Sequence, residues 1–164
     1  MVAYLYKMPS GGAGFVSRNA PNATIEPKFL DNTAKPAYGA PVKLVGGKVT
    51  ALAAGDAATV IYGLLARPYP TSSGTASLTS PFGPETPPDL AAGVLKRGYM
   101  TVLLRSGTAA PGGTVYVRVG AATSDKPLGG IEAAADSTNT VVLPNAYFNG
   151  AVDSYGIVEI AYKL

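Results

Sequence analysis

The chain has 164 residues, of which 47% are apolar and only 14% charged, with 20 glycines, 14 prolines and a formal net charge of +3. That is apolar material for the core of one domain and too much for disorder, and so low a charge favours an assembled state over an isolated monomer. There is no cysteine and no histidine, which excludes disulfides, thiolate metal sites, thiol catalysis and imidazole acid–base chemistry.

The opening stretch MVAYLYKMPSGG lacks a charged region followed by a long apolar run, so no secretory signal is expected. No apolar stretch approaches the roughly 20 residues needed to span a bilayer, so no membrane partner is expected and a soluble protein made in the cytoplasm is. Residues 1–37 read as an extended arm. They hold Pro9, Pro21, Pro27 and Pro36 and lack sustained periodicity, yet Phe15, Val16, Ile25, Phe29 and Leu30 recur as groups with something to bury. Such an arm either wraps its own domain or orders on a neighbouring subunit. Residues 1–50 carry six basic and two acidic side chains. This spread-out excess suits solvent or an acidic protein surface and does not suggest a nucleic-acid patch.

A single β domain is expected over residues 38–164. Residues 41–50, PVKLVGGKVT, predict a hairpin turning at Gly46-Gly47. The GGK there is not a phosphate loop, because the pattern needs glycine where Val42 stands and Ser or Thr where Val49 stands. Residues 58–66, ATVIYGLLA, predict a strand buried on both faces. Residues 67–89 hold six prolines and predict a long excursion, with Tyr69, Leu78 and Phe82 as its docking groups. Residues 89–95 predict one helical turn.

Residues 96–119, KRGYMTVLLRSGTAAPGGTVYVRV, predict the central pair of strands. Met100, Val102 and Leu104 alternate with Tyr99, Thr101 and Leu103, and Val115, Val117 and Val119 alternate with Thr114, Tyr116 and Arg118, as in strands with one buried face. SGTAAPGG between them predicts a loop, making the pair a hairpin. Beyond it, 129–135 is a weak strand signal, 140–144 a clearer one, Asn149-Gly150 a turn, and 156–164 a regular terminal strand. Seven or eight strands and no long helix predict an all-β fold, a small β-barrel or sandwich with an extended N-terminal arm and a long proline-rich loop.

No nucleophile motif is present. Glu132 and Asp136 sit close enough in sequence for a carboxylate pair, but two loop-side acids are ordinarily solvated charges. Asp136-Ser137-Thr138-Asn139 offers oxygen ligands, which Asx and hydroxyl turns explain more simply. No enzymatic activity, metal or cofactor is expected. Ten tyrosines without tryptophan suit a sugar platform or, preferably, barrel edges and interfaces.

The phrases YGLLARPYPT (62–71), LKRGYMTVLL (95–104), GGTVYVRV (112–119), IEAAADSTNT (131–140) and NAYFNGAVDSYGIVEIAYKL (145–164) resemble the capsid decoration, or cement, proteins of tailed bacteriophages. The resemblance covers residues 38–164 and implies a virion structural role on the outer surface of the head, with the major capsid protein lattice as partner and a homotrimer as the assembled form. It carries over no catalytic residue. On this reading Phe15, Phe29, Tyr69 and Phe82 are candidate partner-binding anchors, with packing on the chain's own barrel as the alternative. A tail or receptor-binding module recognising carbohydrate is the second functional reading.

Overall fold

The computed structural model describes residues 11–18, 23–68, 86–87 and 91–164. Tyr69, Phe82 and most of the proline-rich excursion lie outside them. Nine strands are formed in the described residues: β1 (Thr24–Phe29), β2 (Pro41–Val45), β3 (Lys48–Ala51), β4 (Gly63–Ala66), β5 (Ala91–Ser106), β6 (Thr114–Arg118), β7 (Ile131–Glu132), β8 (Thr140–Phe148) and β9 (Ile157–Tyr162). The fold is all-β, as expected.

The strands close into two rings that share β5. Its first half, from Ala91, pairs with β1 and β4; β4 pairs with β2 and β2 with β3. A bridge from Leu30 to Val49, with the Asp31 amide donating to the Val49 carbonyl at 2.8 Å, joins the end of β1 to β3 and completes this ring. The second half of β5 pairs with β9 and β7; β7 pairs with β6, β6 with β8, and β8 with β9. Closure leaves neither ring with a long free edge.

Each ring holds its own core. Val42, Val49, Leu65 and Val94 fill the first, and Met100, Val117, Leu143, Phe148 and Ile160 anchor the second. All are inaccessible to solvent, and each such side chain contributes about 1.5–3 kcal/mol by leaving water. The period-two alternation predicted for 100–104 and 115–119 puts Met100, Val102, Val115, Val117 and Val119 in the core as expected, but Thr101 and Arg118 on the opposite face are buried as well.

One strand can serve both rings because it is long and because Gly98 lies midway. Gly98 has φ +135°, a conformation L side chains rarely adopt, so β5 turns from one ring to the other without strain there. A Cβ at this position would also lie 3.3 Å from Ala23. The β2–β3 hairpin turns where predicted, with Gly46 and Gly47 at φ +57° and +80°, the pattern of a turn whose two central residues are left-handed.

Four expectations are corrected. Residues 96–119 are not a hairpin: β5 and β6 never pair, because β7 lies between them, parallel to β5 through Leu104 and Ile131 and antiparallel to β6. The weak strand signal over 129–135 is β7, but two residues carry nothing to say where it inserts. Of the helical turn expected over 89–95, the described residues 91–95 are the start of β5, whose cross-strand partners override local propensity. In 58–66 only Gly63–Ala66 is a strand, buried throughout, while Ala58–Val60 is a 3-10 turn. Within the stretch read as an arm, Thr24–Phe29 is a full strand on β5; Pro27 interrupts its signal in the sequence but is tolerated at an outer position.

Candidate interaction surface

In the wall of the second ring, on the face opposite Val117 and Ile131, charge is already committed. Arg118 on β6 and Glu132 on β7 are each 1% exposed. The guanidinium donates from Nε to Oε1 at 2.7 Å and from Nη2 to Oε2 at 2.9 Å, the bidentate geometry that suits arginine and carboxylate. Its Nη1 donates to Asp136 Oδ2 at 2.7 Å. Those bonds, and one from Asn139, hold the Asp136 carboxyl below its ordinary value. The carboxylates weighed as a catalytic pair are therefore two sides of one arginine clamp. The expectation that both are solvated is corrected for Glu132. Asp136 sits in a tight turn, accepting Asn139 N–H at its carbonyl and donating its own N–H to Thr140 Oγ1. Among the described residues no group of three potential ligands is placed to hold a metal.

The outer surface is where side chains remain available. β1 presents Phe29, 69% exposed, and Ile25, 47% exposed, on the same side of the strand as Pro27. Pro27 and Phe29 face Gly93 and Ala91 of β5 across the ladder, so the neighbouring strand leaves this strip uncovered. Phe15 has a different environment. Its carbonyl accepts from the Thr101 amide at 2.9 Å, and the Arg67 guanidinium lies 5.7 Å from its ring. Phe15 meets β5 at Thr101 and Phe29 meets it at Ala91, a separation of up to about 33 Å along the strand. The structure does not bring these two candidates together.

The tyrosines divide in the same way. Tyr38 and Tyr162 are core residues, whereas Tyr155 and Tyr147 stand out from the second ring at 65% and 39% exposure. Tyr99, Ala161 and Tyr147 lie in register across β5, β9 and β8, giving two rings with a small residue between. Arg18 covers Tyr99, its guanidinium carbon 4.0 Å from the ring centre. At the junction of the two rings, Lys96 lies over Tyr62, and burial, then the nearby Lys163, hold its ammonium below its ordinary value. Glu26 accepts a hydrogen bond from Tyr62, which with Lys28 lowers its carboxyl. Sequence reasoning named Ile25 only among the arm's apolar groups and did not make it or Glu159 a site candidate; the alternation of Ile25 and Phe29 in TIEPKF was the available signal for the first.

Two closed rings, polar groups satisfied within the chain, and apolar side chains left on the outside define a structural β-module. The sequence matches the family of the XM1 gp53 minor capsid protein over residues 1–162, and the chain belongs to that family. It is a phage capsid-associated minor structural protein of the virion. The fold is similar to a chain in the solved structure of the capsid of Myoviridae phage XM1, with a TM-score of 0.70 at 18% identity, covering 98% of this chain and 96% of that one. Comparison with curated proteins finds no match.

Proposed function

We propose that this minor capsid protein decorates the outer surface of the phage head and stabilises it by bridging neighbouring capsomers, acting as a homotrimer. The observation that carries this reading is the exposed strip of β1, with Phe29 and Ile25 turned to solvent on a strand locked into the rigid β5 ladder. A large aromatic held on a rigid element is suited to anchoring an interface. Phe29 is thus the leading anchor. Phe15, whose ring lies near Arg67 of its own chain, is a weaker candidate, and Tyr69 and Phe82 are retained as anchors on the excursion 67–89.

Bridging explains the stabilisation without any new chemistry. A trimer that engages several subunits makes its later contacts intramolecular, which raises avidity. Binding the assembled lattice more tightly than free capsid protein then stabilises the lattice by mass action.

Light scattering of the purified protein, and co-sedimentation with undecorated expanded heads and with free capsid protein, test the proposal. A trimer that pellets with heads and ignores free subunits is expected. A monomer that stays in the supernatant overturns it. The carbohydrate-recognising alternative gains less support, since one face of the Tyr99–Tyr147 pair is already taken by Arg18.

A further inference from the structure

Residues 14–17 lie along β5 as a short extra strand that neither ring needs for closure. The Gly14 amide donates to the Thr101 carbonyl at 2.7 Å, the Thr101 amide to the Phe15 carbonyl at 2.9 Å, and the Ser17 amide to the Tyr99 carbonyl at 3.2 Å. On the far side the Arg67 amide donates to the Gly14 carbonyl at 2.7 Å, so the segment fills the seam between the end of β4 and β5. Every pairing that closes the two rings runs between other elements.

The segment ends in a side-chain latch on the outer wall of the second ring. Glu159 of β9 accepts Ser17 Oγ at 2.6 Å, Arg18 Nη2 at 2.8 Å and Arg18 Nε at 3.3 Å. Asn149 donates its amide to the same carboxylate from the β8–β9 connection. The guanidinium stacks on Tyr99, and Ala161, sealed from water, lies in register between Tyr99 and Tyr147. A carboxylate, an orienting amide and an aromatic face are the elements of a guanidinium-binding site. Arg18 is half exposed, so its own side chain leaves without breaching a core, and of the strap only Val16, which bridges Met100, packs partly buried against the second core.

We propose that Glu159, Asn149, Tyr99 and Tyr147 form a recognition site for an arginine carried on an extended strand, and that residues 14–18 occupy it as a detachable strap. Docking of the strap is then a local equilibrium, separate from the folding of the rings. Release uncovers the Thr101 and Tyr99 edge of β5, a strand-accepting seam.

Hydrogen exchange on the full chain, followed residue by residue, tests this. In Arg18→Ala and in Glu159→Gln the amides of Gly14, Ser17, Arg67 and Thr101 exchange faster, by roughly five- to thirtyfold for loss of charge-assisted hydrogen bonds, while Val117 and Ile160 are unchanged. A synthetic peptide with the sequence of residues 11–18, added to Arg18→Ala, restores protection of Thr101; the same peptide with alanine for its arginine does not. Unaltered exchange in both variants, or an equal rise across both rings, overturns the proposal. So does equal rescue by the two peptides.

Discussion

Replacing Glu132 with glutamine tests what holds β7 between β5 and β6. The strand is two residues long, and both it and Arg118 are sealed from water. Glutamine keeps the shape but removes the charge that faces the guanidinium at 2.7 and 2.9 Å. Breaking one partner of a buried ion pair costs about 3–5 kcal/mol, and here the buried guanidinium keeps only the half-exposed Asp136 carboxylate to face it. For a chain of this length each kcal/mol lowers the midpoint by about 2–4 °C, so a fall of roughly 6–20 °C is expected. Replacing Arg118 and Glu132 together with methionine removes the orphan and recovers much of the loss. Asp136→Asn lowers the midpoint far less, since that side chain is 43% exposed and water replaces its bond. Far-UV circular dichroism during heating and in urea, supported by tyrosine fluorescence in a chain without tryptophan, measures all three variants against the parent. A cost for Glu132→Gln no larger than a surface substitution, about 0.5 kcal/mol, or one smaller than that of Asp136→Asn, refutes the clamp.

Phe29→Ala is expected to leave stability within about 0.5 kcal/mol while weakening co-sedimentation with heads; an unchanged affinity removes Phe29 from the interface. Gly98→Ala forces a side chain onto φ +135° and against Ala23, so a loss of about 1–3 kcal/mol is expected in urea titration. A variant as stable as the parent would show that β5 does not turn there. Acid weakens the strap. Burial raises the Glu159 carboxyl, but the bonds from Arg18, Ser17 and Asn149 outweigh it and leave the group below its ordinary value. The unfolded chain therefore binds more protons, and this contribution, complete above the unfolded carboxylate value near 4.3, is lost as pH falls through the folded one. Exchange at Ser17 and Thr101 followed downward from pH 6 checks the sign; increasing protection toward acid would contradict it.

The amino-acid pattern alone determined the class of fold and most of the strands, because a buried face imposes alternation on any strand that has one. Met100 with Val102, Val115 with Val117, and Val158 with Ile160 announce their elements in this way, and Gly46-Gly47 announces its turn. The absence of cysteine and histidine equally removed whole kinds of chemistry before any coordinate was known. Tertiary structure decided what pairs with what. β7 is too short to have a period and exists because Arg118 needs Glu132 beside it, so its insertion between β5 and β6 depends on a contact between side chains 14 residues apart. The arm's strand was hidden by Pro27, and its exposed Ile25 and Phe29 acquire meaning only from Ala91 and Gly93, distant in sequence and too small to cover them. Arg18 and Glu159 stand 141 positions apart, and no local rule joins them. Periodicity reports which side of a strand is dry, but ring closure and a latch are set by packing between segments whose sequence separation carries no such signal.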